Sequence, residues 1–395
     1  MGDARLRAWV ALAHAHLPQA TLVALLREAG DAETLLGQAP RMGDAGRALA
    51  QAIAAIPAEA SAATLKWLET PEHRLVTWED ADYPQALLAV GEAPPVLFQM
   101  GRRELMNRPA VAIVGSRRAT PQGLEDAASF ARALAAAGVT VVSGLAEGID
   151  AAAHRGALDE SGGSLAVVGT GLDRVYPAVN RALAHALAEK GCLLSEFVPG
   201  TAPEAWHFPR RNRLIAGLSR AVLVVEASLR SGSLITARLA GDQGREVMAV
   251  PGSIHAPLSK GCHRLIREGA KLVETAQDVL VELGLVAPGA GDRAGGKDGA
   301  VVAGGDGSKV AAAHTAGMEP GSGDAAERND ERAGSPVASP DDRKLLAAMG
   351  TAPVDFDRLV ARTGLAAATI AARITALELD GRVRAMPGGL WQRRA

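Results

Sequence analysis

The chain is poor in cysteine and has no long apolar run. Its 395 residues include two cysteines, Cys192 and Cys262. Two such thiols form neither a disulfide framework nor a zinc site, so both are interpreted as buried thiols in a reducing compartment. No apolar stretch is long enough to span a bilayer, and the N-terminus lacks the pattern of a signal peptide. We therefore expect a cytoplasmic protein without a membrane partner.

Charge of one sign and aromatic residues are also scarce. Lys and Arg total 42 against 44 Asp and Glu, so any site for a polyanion must be a local patch. Aromatic residues make up 3% of the chain, which argues against extended stacking of successive bases. The hydrophobic share of 48%, much of it alanine, is ample for a sizeable core and favours helices. A chain of this length predicts two or three domains.

The first part of the chain, residues 1–75, is predicted to be a helical domain. Apolar residues recur at three-to-four spacing in "LRAWVALAHAHL", "ATLVALLREAG" and "AETLLGQA". The following stretch, "YPQALLAVGEAPPVLFQMG", contains Pro84, Pro94 and Pro95, and it is predicted to be an extended connector.

Residues 76–285 change to short apolar, β-branched runs that alternate with helical stretches. The runs are "AVAIVG", "VTVVSG", "SLAVVG", "CLLSEF", "AVLVVEA", "EVMAVPG" and "KLVET". Unbroken apolar strands that alternate with helices are typical of a parallel sheet covered on both faces. We predict an α/β fold here, a Rossmann-like, doubly wound and mainly parallel sheet.

Residues 286–340 contain no aromatic residue and are crowded with Gly, Ala, Asp and Ser, so a disordered linker is predicted. Periodicity returns in residues 341–395. Three helical stretches are followed by two short strands around a Pro-Gly-Gly turn. This pattern is typical of a winged helix, a helix-turn-helix variant.

The stretch "VAIVGSRRATPQG" predicts a strand, a tight turn and a helix start. Thr120 can cap the helix and Pro121 suits its first position. The turn at Gly115, with the Ser116 hydroxyl and the Arg117 guanidinium, can bind an anion. The alternative is an ordinary turn with solvated arginines. The spacing matches neither a dinucleotide fingerprint nor a P-loop.

In "SGLAEGIDAAAHRGAL", Gly144 and Gly148 permit close approach of a ligand to the backbone. Asp150 and His154 lie four residues apart, on one helix face. They could be an acid–base pair or two metal ligands, but no third ligand stands at a recognisable spacing. A structural Asp–His hydrogen bond that braces the loop is the favoured interpretation. No metal, cofactor or catalytic residue is expected.

Two further stretches predict anion-binding groups. In "HFPRRNRLIAGLSR" four arginines occur without any Asp or Glu between Ala205 and Val225, beside a helix face that is expected to be buried. A bound anionic ligand would neutralise these arginines. Phe208 could stack on a base, and the alternative is that it is a core phenylalanine. Because ligands of open α/β sheets bind at the strands' carboxyl ends, this stretch and three loops should converge there. The third loop is "SLRSGSLITARLA".

These stretches closely resemble the DprA/Smf family of DNA-processing proteins. Others that match are "GTGLDRVYPAVNRAL", "SEFVPG", "FPRRNRLIAGLS", "GREVMAVPGS" and "SKGCHRLIREGAKLV", over roughly residues 80–285. The resemblance implies a dimeric, cofactor-free, non-enzymatic protein that binds single-stranded DNA. It would protect incoming DNA during natural transformation and load RecA, displacing single-strand binding protein. The N-terminal helical domain, SAM-like, and the winged helix are similar to the family's flanking modules.

The resemblance and the motifs together predict two sets of residues. The family often has Lys or Arg where this chain has Ala178, and Arg181 is expected to substitute for it. The predicted residues for single-stranded DNA are Gly115, Ser116, Arg117, Gly144, Arg181, Phe208, Arg210, Arg211, Asn212, Arg213, Ser231, Gly232 and Ser233. The predicted dimer residues, at the sheet's edge, are His263, Leu265 and Leu272. The alternative is that these three simply cover the sheet.

Two rival functions are less well supported by the sequence. Phosphoribohydrolases with a similar central domain carry P-G-G-x-G-T-x-x-E, but here Thr236 is followed by Ala237, Arg238 and Leu239, with no carboxylate. A transcription regulator would read DNA through the winged helix. Its expected recognition helix, 366–380, has Arg373 as its only cation, which is poor for major-groove readout. An auxiliary duplex contact or a protein interaction fits that domain better.

Overall fold

The computed structural model describes residues 2–91, 93–285, 339–350, 352–386 and 389–394. The predicted linker, 286–340, lies outside the described residues except for its last two positions. Within the described part of the chain, no single helix is long and apolar enough to cross a membrane. Two pairs of consecutive helices, each pair bent at a short break, have the length and composition of a membrane span but no other feature of one. They are Gly43–Ala54 with Ala58–Trp67 and Phe356–Thr363 with Ala367–Glu378.

The N-terminal unit consists of helices packed around Trp9, which is completely buried. Its helices are α1 (Asp3–His14), α2 (Gln19–Ala29), α3 (Ala32–Gln38), α4 (Gly43–Ala54) and α5 (Ala58–Trp67). Trp9 belongs to the same hydrophobic cluster as Phe98, Leu187 and Val198 of the following domain. The helical unit is therefore packed against the sheet domain through a shared core.

A mostly parallel sheet forms the centre of the molecule. Its described strands are β1 (His73–Thr77), β2 (Val96–Gly101), β3 (Ala110–Val114), β4 (Thr140–Ser143), β5 (Ser164–Val167), β6 (Cys192–Ser195), β7 (Ala221–Val224), β8 (Glu246–Ala249) and β9 (Lys271–Leu272). Their order across the sheet is β1-β2-β6-β5-β4-β3-β7-β8-β9. The strands from β3 onward are the seven runs that the sequence predicts, and they pair in parallel.

Two strands of this sheet were not predicted. β1 crosses the expected domain boundary after residue 75, and β2 lies inside the predicted extended connector. β2 pairs antiparallel with β1 on one side and with β6 on the other. Its side chains Leu97 and Phe98 are fully buried, so this proline-flanked segment is part of the sheet.

Helices cover both faces of the sheet, as the unbroken apolar strands predict. They are α6 (Gln85–Leu88), α7 (Pro121–Ala136), α8 (Ile149–Ala157), α9 (Arg181–Lys190), α10 (His207–Leu218), α11 (Ser233–Asp242), α12 (Lys260–Arg267) and α13 (Ala276–Glu282). α7, α8 and α13 pack on one face with Ile113 and Leu223. α10, α11 and α12 pack on the other with Val114 and Val222.

The C-terminal unit is a winged helix. It contains α14 (Pro340–Met349), β10 (Val354–Asp355), α15 (Phe356–Thr363), α16 (Ala367–Leu379), β11 (Val383–Met386) and β12 (Leu390–Arg393). Ser339 and Asp342 form a capping box at the start of α14, so Ser339 and Pro340, predicted as the last residues of the linker, belong to this helix start. The short β10, which pairs with β12, was not predicted. Arg362 of this unit donates a forked pair of hydrogen bonds to Glu125 of α7.

The packing of α8 on α7 depends on the missing side chain at Gly156. A Cβ there would lie 2.3 Å from the carbonyl oxygen of Ala128. We expect Gly156→Ala to lower the free energy of unfolding by about 1–3 kcal/mol, because the two helices must separate. The matched control is Gly241→Ala in α11, where a Cβ meets nothing within 4 Å. The control should be neutral or stabilising by less than about 1 kcal/mol.

Urea denaturation followed by circular dichroism measures both variants against the parent chain. Equal stabilities for Gly156→Ala and Gly241→Ala would show that α7 and α8 have room to relax.

Candidate nucleic-acid interface

The direction of chain progression across the sheet reverses next to β3. From β3 the chain moves through β4, β5 and β6 to one side, and β7, β8 and β9 then continue on the other side. The loops after β3 and β7 therefore diverge and leave a crevice at the strands' carboxyl ends. A cavity of about 470 Å³ occupies this position, and we call it the groove.

Most of the predicted DNA-binding residues meet in the groove. Those that line it are Gly115, Ser116, Arg117, Phe208, Arg211, Asn212, Ser231, Gly232 and Ser233. Gly144 lines a small adjoining pocket together with Arg117 and Phe208. Arg181, Arg210 and Arg213 do not border the groove. The contact of each residue with DNA remains a prediction.

The first loop, after β3, is held by the end of β7. Gly115 has no room for a side chain, because a Cβ would lie 2.8 Å from the carbonyl oxygen of Glu226. The Ser116 amide donates to that same oxygen at 2.7 Å. Thr120 caps α7 as predicted, accepting from the Gly123 amide at 3.0 Å. Its hydroxyl also donates to the Glu226 carboxylate at 2.6 Å, a contact that the sequence did not indicate.

The second loop, Gly144–Gly148, is braced by Asp150 and His154 acting separately. The Asp150 carboxylate accepts from the Gly144 amide at 3.1 Å, and His154 Nε2 accepts from the Leu145 amide at 3.3 Å. Among the described contacts there is no hydrogen bond between Asp150 and His154, so the predicted Asp–His bond is wrong. The reason is that buried backbone amides of the loop need acceptors, and both side chains serve them.

The hydrogen bonds of His154 identify its charge state. Since Nε2 accepts a hydrogen bond, the ring proton is on Nδ1, which lies 2.7 Å from Ser164 Oγ. Burial, and after it the nearby Arg211 guanidinium, lowers the pKa of His154 to about 3. His154 is therefore neutral under physiological conditions.

Arg211 is a buried structural cation. Its side chain is 4% exposed, and Nη1 donates to the carbonyl oxygens of Gly144 and Val167. Burial lowers the pKa of Arg211 to about 10, opposed by the Asp150 carboxylate, so the guanidinium stays charged at neutral pH. Arg211 thus ties α10 to the ends of β4 and β5, and in this arrangement it is not open to an incoming phosphate.

Arg210 and Arg213 share one carboxylate. Both form ion pairs with Oε2 of Glu196, which follows β6 and whose side chain is 1% exposed. The prediction that the four arginines have no acidic partner is therefore wrong. Glu196 precedes the stretch between Ala205 and Val225 in the sequence, but the fold brings it next to Arg210 and Arg213. Arg220 directly precedes β7 and so lies at the amino ends of the parallel strands, whereas the groove lies at their carboxyl ends.

The exposed side chains of the groove place a cation next to two aromatic rings. Arg117 is exposed, and its guanidinium carbon lies 5.6 Å from the ring centre of Phe208. The Tyr176 ring lies 5.5 Å from that of Phe208 and is 44% exposed. Phe208 is only partly buried and borders the groove, so it is not a core phenylalanine. Sequence reasoning missed Tyr176, whose only signal was the Tyr-Pro pair before Ala178.

The third loop presents the start of a helix to the groove. α11 begins at Ser233, and Ser231 Oγ lies 2.7 Å from Ser233 Oγ. Gly232 between them is exposed, and a Cβ there would meet nothing within 4 Å. The positive end of the helix dipole therefore adds to the field of Arg117 in the groove.

Arg181 flanks the second loop. It is exposed at the start of α9, directly after Asn180, whose amide donates to the carbonyl oxygens of Leu145 and Ala146. Within the described residues, no group of three or more His, Cys, Asp or Glu could hold a metal ion. The arrangement as a whole suits binding of an anion next to an unsaturated ring.

The predicted dimer segment lies where expected, at the edge of the sheet. β9 is the last strand in the order, and Leu272 on it is 48% exposed. Leu265 is partly buried against the core, and His263 Nε2 lies 3.0 Å from the carbonyl oxygen of Gly252. Only Leu272 of the three is largely open to a partner.

The neutral His154 makes stability depend on pH. The unfolded chain binds a proton near pH 6.5, whereas the folded chain does so only at about pH 3. Between these values protonation favours unfolding, so stability falls as the pH is lowered from 7 to 4. In His154→Gln, whose amide can both accept and donate, this fall should be shallower.

The melting temperature at several pH values measures the difference between the parent and His154→Gln. His14, whose pKa is also lowered by burial, is present in both chains, so its contribution cancels. Parallel profiles would mean that His154 is protonated in the folded state at moderately acidic pH.

Comparison with known proteins supports the fold described above. A family model described as DNA recombination-mediator protein A matches residues 74–284, just over half of the chain. A second, the DprA winged helix domain, matches residues 329–389. Protein Smf of Escherichia coli (strain K12) is 46% identical over 235 residues, covering 59% of this chain and 63% of that one.

A second relative and a solved structure extend the match. The DNA processing protein DprA of Streptococcus pneumoniae is 49% identical over 203 residues, covering 51% of this chain and 72% of that one. The X-ray structure of DNA processing protein A from the same species is similar with a TM-score of 0.63 at 38% identity. That match covers 71% of this chain and 98% of that one. On these matches the chain belongs to the DprA/Smf family.

Proposed function

We propose that this protein binds single-stranded DNA in the groove. The observation that carries the proposal is the exposed Arg117 guanidinium over Phe208, next to the exposed Tyr176. Guanidinium groups pair with phosphates, and aromatic rings stack on bases. In a duplex the faces of the bases are already stacked on each other. An unpaired strand can use both kinds of contact, so it should bind more tightly than a duplex.

The groove offers little that can read base identity. Arg117 and the start of α11 attract phosphates, which carry no sequence information. The rings of Phe208 and Tyr176 stack on any base. Binding in the groove should therefore be largely independent of sequence.

We extend the proposal to DNA processing during natural transformation and recombination. The support comes from the relatives, which are named DNA processing proteins, and from the description of the family model as a recombination mediator. In this role the protein protects the incoming strand and helps load RecA onto it, displacing single-strand binding protein.

Removing the exposed cation tests the groove. Arg117→Ala should weaken binding of a single-stranded oligonucleotide about tenfold, because it removes a charge-assisted phosphate contact. The slope of log K against log salt should also shrink by about 0.7, the share of one phosphate in single strands. The matched control is Arg220→Ala, which removes an exposed arginine at the amino ends of the parallel strands, the end of the sheet opposite to the groove.

Fluorescence anisotropy over a salt series, with single-stranded and duplex oligonucleotides, measures these effects. The proposal fails if Arg117→Ala and Arg220→Ala bind alike, or if the parent chain prefers the duplex.

We also propose that two copies associate through the β9 edge. An unpaired edge strand exposes backbone groups that a second sheet can use. Leu272 on β9 is a large apolar side chain that is nearly half exposed. In an isologous interface each residue occurs twice, so a single charge there is doubled.

Leu272→Arg should accordingly shift the protein from dimer to monomer at micromolar concentration and leave it folded. Leu88→Arg is the matched control, because Leu88 on α6 is a leucine of similar exposure away from β9. Sedimentation velocity distinguishes the two. A dimer that survives Leu272→Arg would place the interface on another surface.

A further inference from the structure

A second cavity lies between the helical unit and the sheet domain. Its volume is about 360 Å³, which is within the range of small-ligand pockets. Leu12, Leu17 and Leu22 of the helical unit form an apolar side. Glu204 borders both this cavity and the surface beside Phe208. We call it the junction cavity, and it is adjacent to the groove.

The polar side of the junction cavity contains an unsatisfied acceptor. Glu196 borders the cavity, and its Oε2 forms ion pairs with both Arg210 and Arg213. Its other oxygen, Oε1, is buried and has no hydrogen-bond partner in the part of the chain that the structure describes. An unmade hydrogen bond at a buried carboxylate is costly, so this site is one donor short.

The charge of this cluster favours an anion nearby. Arg210 and Arg213 share the Glu196 carboxylate, so this group of three is net positive; Glu204, on another part of the wall, balances it for the cavity as a whole. Arg210 is the more accessible of the two, with 40% of its side chain exposed, and its guanidinium carbon lies 5.5 Å from the Phe197 ring centre.

An exposed indole forms another wall. Trp206 borders the cavity, and 55% of its surface is exposed. Its Nε1 donates to Glu204 at 2.5 Å, and its ring packs edge-on against His207 with centres 4.1 Å apart. Trp206 is therefore held in one orientation while much of its ring remains available for stacking.

We infer that the junction cavity binds one nucleotide of the same single strand, with a base that carries an exocyclic amino group. On binding, Glu196 turns its Oε1 toward the cavity and accepts from the amine, while the base stacks on Trp206 and a phosphate pairs with Arg210. Thymine and uracil present a carbonyl oxygen where cytosine has its amine, and that oxygen would face the carboxylate. The inference rests on the proposed function, and it adds a base preference that the groove lacks.

Oligonucleotides of deoxycytidine and of deoxyuridine, equal in length, test the inference with the full chain. Cytosine and uracil differ at C4 and at the adjacent N3, which carries a hydrogen only in uracil, and their rings are of equal size, so their stacking is closely matched. The parent chain should bind the cytidine strand more tightly. Trp206→Ala should weaken its binding about tenfold, the effect of losing one stacked base, and abolish the preference. Trp206→Phe should restore most of both.

Arg117→Ala distinguishes the effect of this cavity from that of the groove. It should weaken the binding of both oligonucleotides equally and keep the preference for the cytidine strand. If the parent binds both strands and Trp206→Ala changes neither affinity, the junction cavity is not a nucleotide site, while the proposed function stands. A parent chain with equal affinities for the two strands overturns the assignment of the amine to Glu196. A parent that binds neither strand overturns both proposals.

Discussion

The buried guanidinium of Arg211 is the interaction on which the candidate site depends. It joins α10 to the carbonyl oxygens of Gly144 and Val167, at the ends of two adjacent parallel strands. A buried cation is stable only when it is paired and hydrogen-bonded, and Asp150 supplies the opposing charge. Through α10 this network sets the position of Phe208, and through the second loop it supports the residues beside Arg117.

The arginines of the site divide into those that build it and those that face solvent. Arg211 and Arg213 are almost fully enclosed, whereas Arg117 is exposed and Arg210 partly so. This division explains how a chain with a net charge of −2 can present a local anion site. A few exposed cations beside a helix start and aromatic rings are sufficient to create a local positive potential that attracts anions.

Features that depend on local pattern were predictable. The seven parallel strands follow from apolar runs, and the Thr120 cap with Pro121 follows from the chemistry of a helix start. β2 was not predictable, because its prolines suggest a connector and its pairing with β6 joins segments that are far apart in sequence. The contacts of Asp150 and His154 were mispredicted for a different reason. Their partners, the amides of Gly144 and Leu145, are only six and nine residues away, but the helix spacing indicated that the two side chains would bond to each other.

The sequence by itself determined the alternation of strands and helices, and hence a crevice where the chain changes direction across the sheet. It also determined that the crevice would contain glycines, serines and arginines. Only the tertiary structure decided which arginines are free, because Glu196 and Asp150 reach them from other elements. Hydrogen bonds and close ion pairs act over about 3–4 Å in space and do not depend on separation along the chain, so no sequence window can reveal them.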